Sequence, residues 1–107
     1  MSSPPSLSPE QRQAALAKAG EARRVRAEVK NKLKMRIISF DELLVEAETD
    51  DIIAKLKVLS VLESLPGVGK VKARRAMDEV GIAQNRRLRG LGSEQRRTLL
   101  EQFGVQT

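Results

Sequence analysis

The chain has 107 residues, enough for one domain with a modest core, and contains neither cysteine nor histidine. Disulfides, thiol or imidazole catalysis and Cys/His zinc sites are thereby excluded. Its net charge of +6 points instead to a polyanionic partner.

The charge is patterned. Residues 1–40 carry nine Lys/Arg against three acids, residues 41–64 two against seven, and residues 65–107 nine against four. Two basic blocks therefore flank an acidic one. Residues 1–8 are rich in serine and proline and are expected to be a disordered tail. They lack the charged and apolar regions of a signal peptide, and no apolar run approaches the roughly 20 residues needed to cross a bilayer. A cytoplasmic protein is the expectation.

Ser8-Pro9-Glu10-Gln11 reads as a helix start, with Ser8 as cap, Pro9 in the first helical position and Gln11 completing a capping box. A basic helix is predicted from there to Arg36 (residues 9–36). Ala15, Ala19, Ala22, Val29 and Leu33 share one narrow stripe, which predicts a helix that docks lightly and projects. Arg12, Arg23, Lys30 and Lys34 cluster on a neighbouring face.

A globular helical body is predicted over residues 37–104. Ser39 and Glu42 form a second capping box, and Ile38 with Leu43 a hydrophobic staple, opening a short helix over 40–48. Asp50-Asp51 opens another through Lys57, and Val58–Leu65 makes a third that Pro66 ends. A helix over Val71–Val80 closes on Gly81 in the left-handed region. Residues 83–92 read as a loop, after which Ser93 caps a last helix over 94–103. No run alternates with period two, so the fold class is all-α.

Two connections carry the functional signal. In LPGVGK (65–70), glycines at 67 and 69 expose backbone N–H groups, and the helix that follows turns its positive end and Lys70, Lys72 and Arg74 toward the same place. This is not a nucleotide phosphate loop: the GxxxxGK[ST] spacing is absent. In QNRRLRGLG (84–92), Arg86, Arg87 and Arg89 stand beside Gly90 and Gly92, a composition suited to close approach to a phosphodiester chain. Leu88 and Leu91 are expected to anchor that loop to the core, with a wedge between base pairs as the alternative. Phe40 and Phe103 are the chain's two aromatic residues and both are placed to face a core, which argues against single-strand binding by base stacking.

The run VLESLPGVGKVKARRAMDEVGIAQNRRLRGLGSEQRRTLLEQF resembles a helix-two-turns-helix module. Behind SPEQRQAALAKAGEARRVRAEVK, it is similar to the integration host factor family of actinobacteria. The resemblance implies a monomeric, sequence-tolerant binder of double-stranded DNA in the nucleoid, one that bends or compacts DNA and supports recombination. It implies no cofactor, metal, membrane or small-molecule substrate, and no catalytic residue. It places DNA contacts at Gly67, Val68, Gly69, Lys70, Lys72, Arg86, Arg87 and Arg89, with secondary contacts at Arg23, Arg26, Lys30, Lys34 and Arg74. One departure stands out: similar sequences cap the 58–65 helix with serine, where this chain has Leu59. A ribosomal small-subunit protein with a related module is the alternative, although the long helix at the front and the short uncharged end fit it poorly. A glycosylase would need a leading proline-glutamate pair, which this sequence lacks.

Overall fold

The computed structural model describes residues 8–104, so the predicted tail lies outside the described residues apart from Ser8. Six α-helices follow in order: α1 (Pro9–Lys34), α2 (Phe40–Ala47), α3 (Asp51–Ala54), α4 (Val58–Ser64), α5 (Gly69–Val80) and α6 (Ser93–Phe103). A single 3₁₀ turn, Leu88–Gly90, interrupts the α5–α6 connection, and no strand occurs among the described residues.

Local capping chemistry sets several of these boundaries. The Ser8 hydroxyl accepts from the Gln11 N–H at 3.1 Å while the Gln11 side chain accepts from the Ser8 N–H at 3.0 Å. Ser39 and Glu42 repeat the box at the start of α2. Asp50 caps α3 by accepting from the Ile52 and Ile53 N–H groups. In each case a side-chain oxygen satisfies N–H groups that the first turn leaves without partners.

The last helix departs from expectation. Gly92, not Ser93, is the N-cap residue, and Ser93 is already helical. Glycine has no side chain to offer, so only half of a capping box forms, with Gln95 Oε1 accepting from the Gly92 N–H at 3.0 Å. The α3 helix also stops at Ala54 instead of running to Lys57, and α5 begins two residues before Val71.

The core is built from all six helices. Leu33 of α1, Phe40 and Leu43 of α2, Val58, Val61 and Leu62 of α4, Met77 of α5 and Leu99 of α6 are almost fully enclosed. The α4 helix packs on α5 and α1, α2 on α3, and α6 on α5 and α2. Glu48 and Arg96, 3.3 Å apart, tie the end of α2 to α6.

Only the last third of α1 takes part. Val29 and Leu33 are buried and Val25 packs against the cluster, whereas Ala15 and Ala19 are exposed although they share the predicted stripe. The stripe gives the correct facing, but the body ends before the helix does. At about 1.5 Å per residue α1 spans roughly 39 Å, which accounts for a longest molecular dimension of 55 Å against 31 and 25 Å for the others.

The C-terminal end of α1 carries an unusual backbone. The Ile37 N–H bonds to the Lys32 carbonyl at 2.8 Å and the Arg36 N–H to Leu33 at 3.2 Å, the pattern of a Schellman turn. Its left-handed position, normally glycine, is Arg36 with φ 62°. Arg36→Gly is therefore expected to raise stability by about 0.5–1 kcal/mol, read as a higher urea midpoint at unchanged slope.

Candidate nucleic-acid interface

The glycine hairpin follows from the end of α4. Leu65 leaves the helix with extended backbone, as a residue before proline must. Gly67 and Gly69 then take φ values of 76° and 71°, which side chains other than glycine rarely adopt. Nothing lies within 4 Å of where a β-carbon at either position would sit. Glycine is thus required there by backbone conformation and not by crowding, and the outer side of the turn is bare backbone. Gly67→Ala is expected to lower stability by about 1–2 kcal/mol and Gly67→Asn by less, since asparagine tolerates the left-handed region; urea denaturation of the two variants would show that ordering.

The α5 helix starts inside this hairpin with no side-chain cap and no acid in its first turn. A helix start of this kind, with Lys70 in its first turn, is suited to an anion. Lys30, Asn31 and Lys34 of α1 stand across a groove from Gly67, Val68, Gly69 and Lys70. Two signals far apart in sequence therefore meet in one place. Lys72 lies on the other side of α5, lining a groove toward α6 with Val71 and Phe103. Arg23 and Arg74 are exposed and line neither groove.

The arginine loop is fastened to the junction between α3 and α4. The Leu88 N–H donates to the Leu56 carbonyl and the Val58 N–H to the Arg86 carbonyl, both at 2.9 Å. They form an isolated antiparallel bridge between Lys57 and Arg87. The missing serine cap now has an explanation. The α4 helix indeed lacks a side-chain cap, and the Arg86 carbonyl satisfies its first N–H. Leu88 is buried and Leu91 packs against the core, as their anchoring role requires.

The three arginines of the loop differ. Arg87 and Arg89 are exposed. Arg86 is half-buried and turns back into its own loop, donating through Nη1 to the Gly90 carbonyl at 2.8 Å and to Gln95 Oε1 at 3.5 Å. A β-carbon at position 90 would stand 2.8 Å from Arg86 Cδ, so Gly90 makes room for that brace. Gln95 completes it: beyond accepting from Gly92 and Arg86, its Nε2 donates to the Gly81 carbonyl at 3.2 Å, linking the ends of α5 and α6 to the loop. Sequence reasoning missed Gln95. The available signal was its three-residue spacing from Gly92, obscured by assigning the cap to Ser93.

Ion pairing separates the basic residues further. Arg97 bridges Glu94 and Glu101 at 2.7 Å each, and Arg96 holds Glu48. Among the described residues, no acid lies within 4.0 Å of Lys30, Lys34, Lys70, Lys72, Arg87 or Arg89. The acidic block has its own duties: Asp50 caps α3, and Asp51 pairs with Lys55 at 3.0 Å. The hydrogen bond and charge of Lys55 hold the Asp51 carboxyl below its usual range, with Arg89 and Lys18 adding to the effect. Among the described residues no group of three or more His, Cys, Asp or Glu side chains is arranged to hold a metal ion, and no helix is long and apolar enough to cross a membrane.

Residues 33–103 match the family model of the S13-like H2TH domain. The integration host factor of Streptomyces coelicolor is 54% identical over 100 residues, covering 94% of this chain and 94% of that protein. That of Mycobacterium tuberculosis is 54% identical over 100 residues, covering 94% and 95%. Among solved structures, sIHF bound to an 8-bp palindromic DNA superposes with a TM-score of 0.79 at 51% identity, covering 82% of this chain and 99% of that one.

Proposed function

The chain belongs to the integration host factor family of actinobacteria, and from that premise we propose that it grips double-stranded DNA through its phosphate backbone and does so with little regard to sequence. The observation that carries this reading is the groove in which the bare Gly67–Lys70 backbone faces Lys30 and Lys34 of α1. Phosphate oxygens accept from the free N–H groups of the hairpin while Lys30, Lys34 and Lys70 neutralise charge from both sides. Arg87 and Arg89 extend the contact from the neighbouring loop. Arg86 acts there as a positioning residue that shapes the loop for the other two.

The hairpin offers bare backbone and Lys30, Lys34 and Lys70 act as point charges, so shape and charge dominate recognition. The protein is read as a binding protein and not an enzyme. It works as a monomer on the chromosome, where contacts along α1 and along the loops on one duplex bend or compact it and so assist recombination.

The test is a fluorescence-anisotropy titration of a mixed-sequence duplex, the matching single strand and a folded rRNA helix, each at several salt concentrations. The duplex is expected to bind tightest, to vary little with sequence, and to weaken steeply as salt rises through counterion release. Preference for the rRNA helix would overturn the reading in favour of a ribosomal role for the shared module.

A further inference from the structure

A second concave surface lies nearer the start of α1 and adjoins the hairpin groove at Lys30. It is a cleft of about 610 Å³ between α1 and the α3–α4 segment, within the range of small-molecule sites. Six cations line it: Lys18, Arg26 and Lys30 from α1, and Lys55, Lys57 and Arg87 opposite. Glu21 and Asp51 are the acids on its wall, and Asp51 is already paired with Lys55. The remaining surface is different in kind. Ala22, Ile52 and Leu56 supply an apolar floor, with the Ser60 side of α4 at its edge.

We propose that this cleft binds a nucleotide-sized organic phosphate, and that its occupancy opposes duplex binding. A flat apolar group sits on the Ala22–Ile52–Leu56 floor while its phosphates meet the surrounding ammonium and guanidinium groups. A bare inorganic polyphosphate would use only the cations and leave the floor exposed to water.

Opposition to DNA follows from shared residues. Lys30 lines both this cleft and the hairpin groove, and Arg87 belongs both to the cleft and to the arginine loop. The back wall is also joined to that loop through the Leu56–Leu88 hydrogen bond and the Lys57–Arg87 bridge. A polyanion in the cleft draws on charge that the duplex would otherwise use, and by linkage the duplex weakens the ligand by the same factor. This competition rests on the DNA-binding reading above; occupancy of the cleft does not.

The experiment is calorimetric titration of the whole protein with ATP at constant ionic strength, with tripolyphosphate and adenosine as separate arms. Lys55→Ala and Ala22→Trp, neither at a residue assigned a DNA contact, remove a cleft cation and fill the floor. ATP is expected to occupy one saturable site, with tripolyphosphate and adenosine each at least about tenfold weaker. Both variants should weaken ATP by about tenfold or more while duplex affinity stays within about twofold. ATP should also weaken duplex binding in the native protein and not in Ala22→Trp. Should Ala22→Trp fail to fold, as circular dichroism would show, Lys55→Ala carries the comparison. Absence of saturable ATP binding, ATP binding that the variants leave unchanged, or tripolyphosphate equalling ATP would overturn the site. ATP binding without effect on the duplex would overturn the opposition. Failure of the native protein to bind duplex without ATP is a separate result, against the DNA reading.

Discussion

Replacing Arg87 and Arg89 together by alanine is expected to weaken binding to every duplex tested by roughly 10- to 100-fold near 0.1 M salt and to flatten the log–log salt slope by about 2. The two side chains are exposed and have no acid within 4.0 Å among the described residues, so their removal leaves nothing buried without a partner. Thermal stability should stay close to native. Gln95→Ala gives the informative contrast. It removes no charge, yet it releases Arg86, Gly92 and Gly81 from a common partner. Affinity should fall because the loop loses its shape, while the salt slope stays unchanged. Arg87 and Arg89 would have no part in holding DNA if the double variant bound as the native protein does.

The largest stability effect is expected at Phe40, which is 0% exposed at the start of α2. Phe40→Ala should lower unfolding free energy by about 3–5 kcal/mol, from lost transfer energy and a cavity that the neighbours fill only in part. Domains of this size are stable by roughly 5–15 kcal/mol, so the variant would stand near the edge of folding at physiological temperature. Val45→Ala in the same helix, at a residue 59% exposed, should change stability by less than about 0.5 kcal/mol. Urea denaturation of both variants checks the contrast: equal midpoints would mean that α2 is not seated on the core as described.

Helix starts at Ser8 and Ser39 were legible in the sequence because capping is local, a side chain reaching a backbone group three residues away. The positive φ angles of Gly67, Gly69 and Gly81 were legible for the same reason: only glycine holds them without strain. What periodicity could not supply was the extent of packing. The alanine stripe on α1 gives the correct facing, but whether a partner stands opposite Ala15 depends on where α3 and α4 end in space. The site divides along the same line. Each half of the hairpin groove was visible separately, as a GxG turn and as Lys30 with Lys34, and folding brings the halves together. Arg86, by contrast, looked equivalent to Arg87 and Arg89. Its inward turn depends on Gly90 and Gln95, and the bridge from Arg87 to Lys57 joins residues with no periodic relation that a sequence pattern could reveal.

That bridge has a consequence for the kinetics and calorimetry of association. A loop already hydrogen-bonded at Arg86 and Leu88 to the body needs no ordering when the duplex arrives. The encounter should then proceed in one step at a rate governed by electrostatic steering, with the small heat-capacity change of a surface that buries little apolar area. Such a rigid grip holds each new stretch of backbone as it held the last.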